Sequence, residues 1–152
     1  MATKGTKNQG LTVWIGTTAA DPSGDTFTQV KRCNMLGEFG PDAAVLDATA
    51  YEDDAKEKIK GMVDNGDTEV GGRRVFTDAG QNALKAAASA SGSTPYNFRV
   101  EIPNAGAAGA TLRYSFKAIA SKFRDKPGGV DNLIEFTASL AISGAITEST
   151  LP

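Results

Sequence analysis

The sequence of 152 residues contains no histidine and a single cysteine, Cys33. One thiol can form neither an internal disulfide nor a zinc site built from several cysteines. Without imidazole, the chain has no Ser-His-Asp triad, no histidine-bearing zinc site and no general base of the commonest kind near pH 7. A thiolate at Cys33 would also lack the imidazole that usually activates it. We therefore expect a protein that is not an enzyme and has no cofactor, with carboxylate, lysine or tyrosine chemistry as the remaining enzymatic alternative.

Long apolar runs are also missing from the chain. No segment approaches the ~20 apolar residues that a membrane-spanning helix requires, and the polar opening MATKGTKNQG lacks the apolar core of a signal peptide. The formal net charge of -2 gives no overall attraction to nucleic acid or to anionic membranes. These features predict one domain that is made and assembled in the cytoplasm and has no membrane partner.

Apolar and polar residues alternate along most of the chain. In 130–144, Phe136, Leu140 and Ile142 alternate with polar residues such as Glu135. Such two-faced segments are typical of antiparallel strands with one face in a core. The sequence predicts a mainly β fold of the α+β type, in which two packed antiparallel β-sheets are flanked by one α-helix. The predicted strands are 11–17, 26–36, 43–49, 68–77, 95–103, 111–123 and 130–144.

One segment has the features of a helix. In TDAGQNALKAAASASG, residues 77–92, Thr77 or Asp78 can cap the N-terminus, Gln81 stands three residues after Asp78, and the interior is rich in alanine. We expect a helix at about 78–90. The polar, glycine-bearing start of the chain predicts a flexible N-terminal arm, residues 1–10, followed by a single domain, residues 11–152.

The stretch TAYEDDAKEKIKGMVDNGD, residues 49–67, interrupts the series of strands. Its apolar residues follow a helical spacing, which in isolation is typical of an amphipathic helix. The overlapping residues 64–75 do not match a calcium-binding loop, because Glu69 and Val75 stand where that loop requires Gly and Glu. Since strands flank the stretch, we predict a long inter-strand loop at about 47–66 that contains at most a helical turn.

Charge is distributed unevenly along the chain. Residues 37–72 contain ten acidic and three basic residues, net −7, whereas the rest contains eight acidic and 13 basic residues, net +5. A chain with one acidic block and a basic remainder can attract copies of itself head to tail. Such contacts close into rings or continue as filaments. A solvated acidic loop without any partner is the alternative.

The order of these segments resembles that of the major tail tube proteins of bacteriophages with long, non-contractile tails. The resemblance covers most of the chain, and its central block is the most specific part. The segments that carry it are GLTVWIG (10–16), LGEFGPDAAVLDATAYEDDAKEKIKGMVDNGDTEVGGR (36–73), DAGQNALKAAAS (78–89), PYNFRVEIPN (95–104) and TLRYSFKAIASKF (111–123).

That resemblance implies a structural virion protein whose fold is shared with the tube protein of type VI secretion. It implies stacked hexameric rings that form the tail tube, the conduit for genome delivery into the host. The implied partners are copies of the protein itself, the tape measure protein, and the tail terminator and tip proteins. DNA would pass through the lumen without specific binding. The implied location is the virion, after assembly in the host cytoplasm, and the arm 1–10 and the loop 47–66 would reach neighbouring subunits or rings.

We predict that the inter-subunit contacts are formed by the loop and by one tryptophan. The polar loop residues would set the register, with Ile59 or Met62 as the apolar anchor. Trp14 shares a strand face with Thr12 and Gly16, so it can lie in an interface, and a core position is its alternative. The predicted contact residues are Trp14, Tyr51, Glu52, Asp53, Asp54, Lys56, Lys58, Ile59 and Met62.

Two other functions remain open at this point. One is a secretion-type tube protein. The other is a small β-sandwich module that binds a host surface or a carbohydrate. Such a module would need clustered exposed aromatic side chains, and the chain has only one Trp and three Tyr.

Overall fold

The structure, a computed structural model, describes residues 10–151. The predicted arm, residues 1–10, lies outside the described residues except for Gly10. The described part contains nine strands, one α-helix and two short 3-10 helices. The strands and the helix are β1 (Thr12–Ile15), β2 (Thr28–Val30), β3 (Cys33–Leu36), β4 (Asp42–Asp47), β5 (Lys58–Asp64), β6 (Asp67–Arg73), α1 (Ala79–Ser89), β7 (Tyr96–Ile102), β8 (Thr111–Lys126) and β9 (Glu135–Leu151).

Seven of these strands form one antiparallel sheet in the order β2-β1-β7-β8-β9-β6-β3, and β4 and β5 form a separate two-stranded sheet. β8 and β9, which are 16 and 17 residues long, lie at the centre of the large sheet. They connect the half that contains β2, β1 and β7 to the half that contains β6 and β3. The predicted mainly β class with one flanking helix is confirmed. The strands are divided seven and two between the sheets.

The large sheet curls around a single core. Val13 of β1 and Val70 of β6 both belong to that core, although four strand-to-strand steps separate β1 from β6. In a flat sheet these two strands would lie roughly 19 Å apart, so curling is what brings their side chains into one cluster. Inside it, the rings of Phe98 and Phe116 stack with centroids 6.0 Å apart. The two packed layers expected from the sequence are thus two halves of one sheet.

The helix α1 begins after Asp78, within the segment 77–92 that reads as helical. The Asp78 carboxylate accepts a hydrogen bond from the backbone N–H of Gln81 at 3.0 Å and so caps the first turn. Gly80 lies directly against β2, because a Cβ at this position would overlap the carbonyl oxygen of Gln29. The helix therefore approaches the strands closely and covers one side of the curled sheet.

The side chain of Gln81 ties α1 to the strands. It is fully buried, with 0% exposure. Its amide group donates to the carbonyl oxygens of Lys31 and Arg73 at 2.8 and 2.9 Å. Its oxygen accepts from the Val75 N–H at 2.9 Å and from Arg74 Nη1 at 3.1 Å. Every polar atom of the amide is therefore satisfied inside the protein, and three chain segments are held at one point.

The segment predicted to be a long loop, 47–66, is in large part a β-hairpin. β5 pairs with β4 along its length, and only residues 48–57 connect the two strands. The prediction of a loop is therefore wrong for 58–64, and 48–57 contains turns without any helix. Pairing with β4 supplies backbone hydrogen bonds that a lone helical turn would lack, so it overrides the helical spacing of the apolar residues.

Candidate assembly surface

The hairpin formed by β4 and β5 stands apart from the core. No residue of either strand belongs to the core cluster, and every residue of the two is exposed except Ala43 and Gly61. An isolated two-stranded sheet is marginally stable in water, and contiguous exposed apolar residues mark interaction sites. The exposed large apolar side chains are Val45 (66%), Leu46 (50%), Ile59 (49%), Met62 (93%) and Val63 (50%).

Both faces of the hairpin are apolar. Leu46 lies opposite Ile59, so these two side chains share one face. Val45 and Ala43, two residues apart on β4, lie on the other face, where Ala43 is opposite Val63. A protein that packs on the hairpin can therefore cover apolar surface on either side of it.

The tip of the hairpin, residues 48–57, is held in shape by its own hydrogen bonds. The Thr49 hydroxyl donates to the Asp47 carboxylate, and the Ala50 N–H donates to the Asp53 carboxylate at 2.7 Å. The hydrogen bond from the Thr49 side chain is the main reason that the pKa of Asp47 lies below its ordinary value. The tip is thus a shaped, strongly acidic surface, with four acidic residues and one lysine.

Eight of the nine predicted contact residues lie together on this hairpin, and all eight are exposed. Five are on the tip and three are on β5. The apolar residues of β4 are not among the predicted contacts, because 43–49 was interpreted as a strand of the core. The acids at both ends of that strand were the available signal, since a buried strand rarely begins and ends with Asp. The eight residues are Tyr51, Glu52, Asp53, Asp54, Lys56, Lys58, Ile59 and Met62.

Trp14 lies on a different surface. Its neighbours Val13 and Ile15 are buried at 2% and 1% exposure, whereas Trp14 is half-buried on the opposite face of β1. Its indole N–H donates to the Thr12 hydroxyl at 2.9 Å. Trp14 is therefore outside the core cluster, and its role in a contact between subunits stays a prediction.

A polar groove of about 430 Å³ crosses the outer face of β7, β8 and β9. Three cations, Arg99, Arg113 and Lys117, line it. Arg113 pairs with Glu101 at 2.8 Å, and the Arg99 guanidinium carbon lies 3.7 Å from the centre of the Phe27 ring. Burial, followed by the charge of Arg113, lowers the pKa of Arg99. Lys117 also donates to the carbonyl oxygens of Ala19 and Ala20, whereas the buried Nε of Arg99 has no hydrogen-bond partner among the described residues. We interpret the groove as part of the outer face of the sheet.

The described residues offer no arrangement suited to a bound metal ion. Within 10–151, no three acidic or cysteine side chains converge into a metal-binding group. Over the same range, no helix combines the length and the apolar character that a membrane crossing would need.

The sequence matches no protein-family model and no curated protein. The structure, however, matches solved tube structures over nearly its whole length. A protein of the SPP1 tail tube matches with a TM-score of 0.68 at 14% identity, over 96% of this chain and 80% of that one. The fold is that of tail tube proteins.

Two further structures have the same fold. A protein from the tail of an empty gene transfer agent particle, refined with helical and C6 symmetry, has a TM-score of 0.66 at 12% identity, over 95% of this chain and 99% of that one. The sheath/tube terminator of the PVC extracellular contractile injection system has a TM-score of 0.70 at 7% identity, over 98% and 99% of the two chains. The resemblance expected from the sequence is confirmed at the level of the fold.

Proposed function

We propose that this protein is a structural subunit of a tail tube, which assembles with copies of itself into stacked rings. One observation carries the proposal: a tail-tube fold presents a hairpin that is apolar on both faces and contributes no residue to the core of its own chain. Burying those side chains against a second copy would remove a cluster of exposed apolar residues from water.

The contact residues of the proposal are those of the hairpin. The apolar side chains of β4 and β5 supply the attraction, because apolar area removed from water drives association. The acidic residues of the tip and the lysines Lys56 and Lys58 select the orientation, since charged groups contribute more to specificity than to affinity. Trp14 is proposed as a second contact on the outer face of β1.

We further propose six copies per ring and a lumen through which the genome reaches the host. The C6 symmetry of the gene transfer agent tail supports the number six. A match to a tube terminator supports a terminator as a partner at the end of the tube. The tape measure and tip proteins complete the proposed partners, and the tube belongs to the virion after assembly in the host cytoplasm.

A secretion-type tube is the second candidate. A type six secretion system protein matches with a TM-score of 0.54 at 13% identity, over 91% of this chain and 82% of that one. Both candidates would assemble through the same surface, so they are distinguished by the particle in which the protein is found. Mass spectrometry of purified phage-like particles would detect this chain if it is a virion component, and its absence from such particles would favour secretion.

A carbohydrate-binding module fits the structure less well. Among the described residues, the aromatic side chains that are more than half exposed are Tyr51 (112%) and Phe76 (57%). Tyr51 is on the hairpin tip, whereas Phe76 follows Arg73, the last residue of β6. The two rings therefore form no shared platform on which a sugar ring could stack.

Electron microscopy of the purified chain, with light scattering across protein and salt concentration, tests the main proposal. We expect rings or tubes for the unchanged chain, and loss of both for Leu46→Glu, which places a charge in the apolar hairpin. Ala86→Glu makes the same kind of change at an exposed position of α1 and should assemble normally. A chain that stays monomeric under every condition would overturn the proposal, and normal assembly of Leu46→Glu would remove the hairpin from it.

A further inference from the structure

The two ends of β6 carry different surfaces. At one end, Asp67 lies opposite Ala141 and is joined to the hairpin by two residues. At the other end, Arg73 lies opposite Glu135, where the turn 127–134 enters β9. Seven residues of strand separate the two ends by roughly 20 Å. The base of the hairpin and the turn are therefore at opposite ends of β6.

The pole opposite the hairpin is apolar and basic. We define this basic pole as the turn 127–134 together with Arg32 and Arg73. The Arg73 N–H donates to the carbonyl oxygen of Arg32 at 3.0 Å, which fixes the two arginines side by side. Val130 and Leu133 of the turn are exposed at 104% and 62%. Over residues 31–32, 73–74 and 125–135, five basic and three acidic residues give a net charge of +2.

A cleft of about 470 Å³ opens at the basic pole. Arg32, Arg73 and Leu133 are among the residues that line it. The buried Arg74 beneath them is already paired with Asp125 at 2.9 Å. The exposed Arg32 and Arg73 thus remain available to an acidic partner, and Val75, Leu133 and Ile134 contribute an apolar lining.

The hairpin has the complementary properties. Its residues 42–64 contain seven acids and three lysines, net −4. At its tip, Tyr51 is fully exposed at 112% and is followed by three acids. An aromatic ring among carboxylates suits a cleft with an apolar floor and a guanidinium rim, because arginine pairs with carboxylates and stacks on aromatic faces.

We propose that the hairpin of one copy seats on the basic pole of the next copy, with Tyr51 in the cleft between Arg32, Arg73 and Leu133. This inference rests on the proposed tube function and names the surface that receives the hairpin. The contact joins two different surfaces, so each copy offers one and receives one. Such a heterologous contact closes into a ring or continues from copy to copy, and the positions of the two surfaces at opposite ends of β6 favour head-to-tail stacking.

Cysteine cross-linking tests the contact. Glu52→Cys is combined with Val130→Cys in one chain, and oxidation of the assembled protein should give a ladder of covalent oligomers. Glu52→Cys combined with Lys85→Cys, which is exposed on α1, should give none. Burial and then the charge of Asp78 raise the pKa of Cys33 to about 12, which disfavours its reactive thiolate, and oxidation of the chain with Cys33 alone is the control for the native thiol.

Charge exchange gives a second measurement that keeps the hairpin intact. Arg32→Glu with Arg73→Glu should raise the concentration needed for assembly by about tenfold or more, and so should Glu52→Lys with Asp54→Lys. The four changes together should recover assembly to within about threefold of the unchanged chain, since the tip 48–57 then changes from a net charge of −3 to +1 and the basic pole with its flanking residues from +2 to −2.

The possible outcomes separate this inference from the function on which it rests. Normal tubes without the cross-link and without recovery would overturn the inference and leave the tube function standing. Covalent dimers from Glu52→Cys alone would show a symmetric contact between hairpins and would also overturn it. A chain that never assembles would overturn both.

Discussion

Replacing Ile59 and Met62 of β5 by serine should weaken assembly without weakening the fold. Met62 is 93% exposed and Ile59 is 49% exposed, so nearly all of one side chain and half of the other remain to be buried by a partner. Full burial of such a side chain contributes about 1.5–3 kcal/mol. We therefore expect about 2 kcal/mol from Met62 and about 1 kcal/mol from Ile59 in each contact.

The sum of about 3 kcal/mol corresponds to roughly a 100-fold change in an association constant. In Ile59→Ser with Met62→Ser, the critical concentration for assembly should rise by about that factor. Light scattering or sedimentation across a concentration series measures it. The melting temperature of the monomer should stay within about 2 °C, because substitutions of exposed residues change the free energy of unfolding by about 0.5 kcal/mol or less.

Lys85→Ser on the exposed face of α1 is the matched control and should leave both quantities unchanged. A critical concentration within about threefold of the unchanged chain would refute the reasoning, since the two side chains would then stay in water after assembly. A large fall in melting temperature would also refute it, because the hairpin would then pack within its own chain.

Three further predictions concern the fold itself. Gln81→Leu removes four hydrogen bonds from buried groups, so thermal denaturation should show a loss of about 3–4 kcal/mol, or roughly 10 °C. Gly80→Ala would push α1 away from Gln29, and urea denaturation should show a loss of about 1–3 kcal/mol. Burial opposes ionisation of Asp25, but hydrogen bonds from Asn97 and Thr17 outweigh it and lower the pKa to about 2. Ionised Asp25 therefore stabilises the fold above about pH 4, and this contribution should be lost as the pH falls toward 2. Urea midpoints measured from pH 6 to pH 2 should fall less for Asp25→Asn, and an equal fall would contradict the assignment.

The strands and the helix could be predicted because their signals are local. Alternation of apolar and polar residues separates core from surface within one strand, and β9 follows it through Phe136, Ala138 and Leu140, which are 0–1% exposed. The start of α1 was predictable from Asp78, since an acidic cap and the following N–H groups are close in sequence. The curling of the sheet was not predictable, because it depends on which distant strands share a core.

The structures of the hairpin and of the Gln81 hydrogen-bond network could not be predicted, because each depends on residues that are distant in sequence. β5 has the apolar spacing of a helix, and only its pairing with β4 makes it a strand. Gln81 was predicted as part of a capping box, yet its side chain turns inward to carbonyl groups of Lys31 and Arg73, which are eight or more residues away in sequence. Sequence reasoning can identify a residue as unusual in such cases, but the partner that explains it comes from the tertiary structure.

The charges on the hairpin explain why its apolar faces need a different surface as their partner. Two hairpins that met face to face would each bring a net charge of −4 into one contact, and like charges brought together across an interface disfavour it. Asp42 already lies opposite Asp64 within the hairpin, which weakens its own pairing at the base. The same acids therefore keep hairpins from associating with one another and favour a basic acceptor. Because the proposed acceptor lies at the other end of β6, attraction between copies and discrimination against the symmetric contact would both favour the proposed head-to-tail stacking.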